Sequence, residues 1–163
     1  MAATVQIHEM TATDTGTDKT DGTVRFKSAD NTTVDTNNRL TVPESGTNYS
    51  YTKQLQLNVT VAPDTDLQDL EAYSDGSNGF GTGIGVQYDV QSSFQSQQNT
   101  DISGTDLFTA DSGSPIDMDA NNTGPHTGTG YQGDILRLQM TVADTASQGS
   151  LSAETLTFSY TET

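Results

Sequence analysis

Over residues 49–61 the odd positions read Tyr49, Tyr51, Lys53, Leu55, Leu57, Val59 and Val61, while Gln54, Gln56, Asn58 and Thr60 occupy even ones. Six of the seven odd positions are apolar or aromatic, a period of two that places them on one face of an extended strand and predicts a sheet buried on that side. At about 3.3 Å per residue such a strand would run roughly 40 Å, long enough to bend or bulge partway. The alternation returns in Ile84, Val86, Tyr88 and Val90, in Leu136, Leu138, Met140 and Val142, and in Leu156, Phe158 and Tyr160. Shorter segments of the same character are 5–9, 23–28 with Val24 and Phe26 on one face, 39–42 and 70–73.

Glycine, aspartate and asparagine cluster between these runs, at 21–22, 44–46, 75–79, 111–115 and 124–130. Such residues supply the positive φ angles and local side-chain hydrogen bonds that tight turns need. About eight short strands separated by turns predict an all-β fold, an antiparallel β-sandwich of jelly-roll type, as a single domain over residues 1–163. Residues 65–70 carry the one helical pattern, enough for a short turn or one helical turn. Residues 11–22 hold threonine, aspartate and glycine without a large apolar side chain and read as a flexible polar segment. Glycines 81, 83 and 85 share one parity, leaving a face without side chains that another backbone can approach.

Charge narrows the partners. Six bases against 22 acids give a net charge of −16, which repels nucleic acid and anionic membrane surfaces. Seventeen of the acids are aspartate and only Lys19, Lys27 and Lys53 are lysine, a balance that suits solubility in very salty water, where charge repulsion is screened. Residues 1–53 hold seven acids and five bases, whereas residues 54–163 hold fifteen acids and only Arg137. The nearly neutral first third is therefore the easier surface to bury against another protein. Arg25, Lys27, Arg39 and Lys53 are the candidate contacts to an acidic neighbour.

Reactive groups are sparse. Without cysteine there is neither a disulfide nor a thiolate site. His8 and His126 belong to no nucleophile or paired-histidine motif, and paired acids such as Asp64 with Asp66 or Asp117 with Asp119 are expected by chance in so acidic a chain. No catalytic residue and no organic cofactor are expected. A loop divalent cation is the one metal reading: Asp75, Ser77 and Asn78 bring three side-chain oxygens into a glycine-rich loop, although the twelfth position of a helical calcium loop, Val86, is no carboxylate. The alternative for that loop is a polar turn. The N-terminus MAATVQIHEM has no basic region ahead of an apolar stretch, so no secretory signal is expected.

The segments 24–30 (VRFKSAD), 73–83 (YSDGSNGFGTG), 138–142 (LQMTV) and 154–158 (ETLTF) carry a resemblance. They are similar to small all-β structural proteins from the head and tail gene blocks of tailed double-stranded DNA viruses, including those of salt-loving archaea. The resemblance implies a virion component assembled in the host cytoplasm, a homo-oligomer, and contact with other virion proteins such as the major capsid protein. It implies a non-enzymatic role, foremost as a capsid-surface decoration or turret subunit. The other roles it leaves open are a head-tail connector, neck or tail component and a receptor- or carbohydrate-binding fibre domain, the last using loops 75–85 and 120–131 with Tyr73, Phe80 and Tyr131.

Overall fold

The computed structural model describes residues 2–11 and 16–163; residues 12–15, inside the segment expected to be flexible, lie outside the described residues. Among the described residues there are ten strands, β1 (Thr4–Met10), β2 (Thr17–Asp18), β3 (Thr47–Tyr49), β4 (Lys53–Val61), β5 (Leu67–Tyr73), β6 (Ile84–Gln91), β7 (Thr105–Asp106), β8 (Ile116–Asp117), β9 (Gly130–Ala143) and β10 (Thr157–Glu162), and one 3-10 turn at Leu107–Thr109. Three of the ten are two-residue segments, which accounts for the excess over about eight. Every strand pair is antiparallel. The large sheet runs β2-β1-β4-β9-β6-β7, with β3 also on β9, and the small sheet runs β10-β5-β8. The fold is an all-β antiparallel sandwich.

The alternation in the sequence sets the inner face. Leu55 pairs with Leu136, Val86 with Met140 and Ile84 with Val142, so these side chains point to one side and meet Leu67, Leu70, Ala72, Ile116 and Met118 from the small-sheet side. Burying such side chains from water supplies most of the drive for folding, at about 25 cal/mol per Å². The even positions of β4 and the odd positions of β9 from Arg137 onward form the outer face, which carries Gln54, Gln56 and Gln139.

Three bulges alter what the pattern predicts. The long strand is interrupted at Ser50: Tyr49 pairs with Thr141 and Lys53 with Leu138, so three residues oppose two, and Tyr49 moves to the outer face. Ser50 repairs the break by giving its N–H to the Met140 carbonyl at 2.9 Å and taking the Met140 N–H on its hydroxyl at 3.0 Å. In β5, Asp69 has φ +51° and residues 69–70 oppose Tyr160, so Leu67 and Leu70 are both buried. That three-residue spacing imitated a helical turn; the segment is a bulged strand from Leu67 onward. In β9, residues 133–135 oppose Gln56 alone, with Gly133 at φ +66° against the Met118 carbonyl.

Segments 23–28 and 39–42 are not strands. No residue between Asp18 and Thr47 lies in a strand or helix. Val24, Phe26, Leu40 and Val42 nevertheless pack against the core, so the alternation there correctly marks burial, while the backbone makes scattered bonds such as Tyr51 N–H to the Lys27 carbonyl at 2.9 Å instead of a ladder. Residues 22–46 thus form a strap laid along the sandwich. Gly83 stands in the turn before β6, where a side chain would strike the Ala146 backbone, so close backbone approach occurs at this one of the three glycines.

Candidate functional site

Lys53 is the one charged residue at an odd position of the 49–61 alternation, and the structure keeps it on the inner face, in register with Leu138. It is 2 % exposed. Burying an ammonium is costly unless it is paired and hydrogen-bonded, and Lys53 is both: Nζ lies 2.8 Å from Glu9 Oε1 and donates to the Asn31 carbonyl at 2.6 Å. Glu9 reaches it because Glu9 pairs with Leu55 and so shares that face.

Two more ammonium groups converge on the same strap segment. Lys19 Nζ donates to the Thr32 carbonyl at 2.9 Å and sits 3.5 Å from Glu9 Oε2, and Lys27 Nζ donates to the Thr33 carbonyl at 3.0 Å and to Asp35 Oδ1 at 3.1 Å. The three lysines of the chain thereby hold three consecutive carbonyls, 31 to 33. Hydrogen bonding to the Lys27 ammonium holds the Asp35 carboxyl below the usual aspartate range. Glu9 Oε2 is buried without a hydrogen-bond partner, so the cluster sets three cations against two carboxylates.

This arrangement corrects the reading of the basic residues. Lys27 and Lys53 are inside the molecule, paired within the chain, and cannot meet an acidic neighbour in this state. Arg25 is half-buried, whereas Arg39 is exposed, with Nε on the Thr36 carbonyl at 2.9 Å. The third arginine, Arg137, grips Asp89 with two guanidinium nitrogens. The strap's outward side also carries Val34, 53 % exposed, the most exposed large hydrophobic side chain among the described residues.

A second cover lies on the outer face. Gln54 donates to the Gln95 carbonyl at 2.7 Å and accepts the Gln95 N–H at 2.8 Å, while fully buried Gln139 donates to the Ser50 and Thr100 carbonyls at 2.9 and 3.0 Å and accepts the Ile102 N–H at 3.2 Å. These amides hold residues 92–103 to the sheet. Asp101 closes that loop by accepting from Gln87, the bond that chiefly lowers its pKa, and burial raises the pKa of Tyr49, whose hydroxyl bonds Asp101.

At the candidate cation loop, Asp75 Oδ1 accepts the Ser77 N–H at 2.9 Å, Asn78 Oδ1 accepts the Phe80 N–H at 3.0 Å and Asn78 Nδ2 donates to the Ile84 carbonyl at 2.7 Å. Those bonds build a polar turn. Among the described residues no group of three or more histidine or acidic side chains is arranged to hold a metal ion. Phe80 packs edge-on against Phe108 at 5.9 Å and so belongs with the core, whereas Tyr131 is 40 % exposed beside His8, the ring centroids 5.6 Å apart.

His126 is a loop residue but buried, its Nε2 2.7 Å from Asp119 Oδ1 and its Nδ1 3.0 Å from Gln132 Oε1. Nearby, Asp69, Glu71, Asp117 and Asp119 border a groove of about 420 Å³ on the small sheet. Asp134, buried, accepts the N–H groups of Asn121 and Asn122 at 2.9 Å and orders that loop. Sequence reasoning missed Asp134 and Glu9, since each sits at a position whose burial depends on pairing with distant residues. Comparison with known protein families, with characterised proteins and with solved structures finds no match.

Proposed function

We propose that this chain is a non-enzymatic structural subunit of a tailed virus particle, a jelly-roll-type sandwich that decorates the capsid surface or builds a turret, assembled with copies of itself and with the major capsid protein. The observation that supports this reading best is the character of the strap. Its charged residues balance, Arg25, Lys27 and Arg39 against Asp30, Asp35 and Glu44, in a chain of net charge −16. It is held to the body by buried cations, and it presents exposed Val34 and Arg39. A face of balanced charge is cheaper to desolvate against an acidic neighbour than a strongly acidic one, and the acidic remainder suits a solvent-facing surface in salt.

Contact with the neighbour therefore runs through Val34, Arg39 and Arg25, with the first two on the rim-free outer side. Replacing Val34→Asp together with Arg39→Glu leaves the buried lysines untouched and should strip the subunit from assembled particles. Full occupancy of the double variant on purified particles would refute the assignment. The fibre-domain reading draws on exposed Tyr131 and predicts glycan binding by the isolated chain, which Tyr131→Ala would abolish; a decoration subunit binds none.

A further inference from the structure

We infer that residues 22–46 are a releasable strap, fastened by the ammonium groups of Lys19 and Lys53 and able to leave the sandwich while the strands stay folded. This goes beyond the proposed virion role and does not depend on it. The strap lacks the ladder of backbone bonds that makes β1, β4, β9 and β6 one cooperative sheet. Near its middle it is joined to the body by two side-chain bonds, Lys53 to the Asn31 carbonyl and Lys19 to the Thr32 carbonyl, flanked by single bonds from Tyr51 N–H to the Lys27 carbonyl at 2.9 Å and from the Asn48 amide to the Thr41 carbonyl at 2.8 Å. Lys27 acts inside the strap, tying residue 27 to Thr33 and Asp35, and Ser28 N–H to the Asn38 carbonyl at 2.8 Å does the same, so the strap keeps its own shape as a unit. Its C-terminal end is anchored at Gly46, φ +77°, whose carbonyl accepts the Asp144 N–H at 3.0 Å and whose N–H donates to Asp144 Oδ2 at 3.2 Å, a fixed point about which the strap would swing.

The charge arrangement favours a two-position device. Lys19 and Lys53 share Glu9 as their carboxylate, and Glu9 Oε2 is unsatisfied by hydrogen bonds, so the closed position carries a standing electrostatic cost. That cost is relieved when water reaches the cluster. Opening would bare the ammonium groups of Lys19 and Lys53 together with the apolar surface under Val24, Phe26, Leu40 and Val42, giving an acidic protein a cationic, apolar face that the closed form hides. The segment assigned to the particle contact is then also the part that moves.

Hydrogen-deuterium exchange of the isolated full chain, followed by mass spectrometry, tests this without reference to any particle. In the wild-type protein at sub-denaturing urea, amides of 22–46 should exchange at least about tenfold faster than those of β4, β6 and β9, with little dependence on urea, as local opening requires. Lys53→Met should accelerate the strap by at least about tenfold, while the β9 amides stay slower than those of the strap and keep the strong urea dependence of global unfolding. If strap and sheet amides exchange together in the wild type, the inference fails. Should Lys53→Met not fold, the wild-type comparison alone decides, and Lys19→Met at the cluster edge repeats the variant test.

Discussion

Replacing Glu9 and Lys53 singly and together gives the sharpest test of the buried cluster. At 2.8 Å and an effective dielectric constant near 20, the gross attraction of the pair is about 6 kcal/mol, most of it offset by the cost of taking both charges out of water. Glu9→Leu leaves Lys19 and Lys53 as buried ammoniums with only carbonyl partners. Lys53→Met leaves the Asn31 carbonyl bare and Glu9 with Lys19 alone, 3.5 Å away. Each single change should cost about 3–5 kcal/mol, seen as a drop of roughly 10 °C in melting temperature. The double variant Glu9→Leu with Lys53→Met puts two apolar side chains on a face already lined by Leu55 and Leu138, so it should be more stable than the sum of the singles by at least about 2 kcal/mol. Urea unfolding of the four proteins completes the cycle. Additive losses would show that Glu9 and Lys53 do not act as a pair and would remove the physical basis of the clasp.

Gln139→Leu should cost about 3 kcal/mol by urea unfolding, because it strands the Ser50 and Thr100 carbonyls and the Ile102 N–H beneath the 92–103 cover; a loss under about 1 kcal/mol would mean that water replaces the amide. Gly133→Ala should destabilise by more than about 2 kcal/mol, since a Cβ there would lie 2.6 Å from the Met118 carbonyl oxygen at φ +66°, and an unchanged melting temperature would contradict that geometry. Acid should weaken the protein in a defined direction. Asp35 and Asp101 are held below the aspartate value of 3.8 in the folded state, so the unfolded chain takes up protons first and stability is lost as the pH falls from that value through the folded pKa. Melting temperature followed against pH should therefore decline on the acid side, and Asp35→Asn should flatten part of that decline.

Much of the sandwich is legible in the order of residues. Strands β1, β4, β6, β9 and β10 follow from a period of two, and the turns from glycine and aspartate, because both signals act between near neighbours in the chain. The strap was half legible: Val24, Phe26, Leu40 and Val42 announce a buried face, but whether such a face joins a ladder depends on the backbone it meets, and here it makes only scattered backbone bonds. The bulge at Asp69 hid the first half of β5 behind a helical spacing, while residues 70–73 read as a strand, as its extra residue is defined only by Tyr160 opposite.

By itself the sequence determined the fold class, the acidic surface and the near-neutral first third, since composition and local periodicity need no knowledge of what lies across the sheet. Only the tertiary structure decided where the scarce cations go. Lysines 19, 27 and 53, spread over 35 positions of chain, are gathered onto carbonyls 31 to 33 by strand pairing and by a strap, and a charge that looks like surface when read alone becomes interior once Glu9 is brought beside it. The physical reason is that burial of a charge is settled by its partner, and partners distant in sequence meet only through folding.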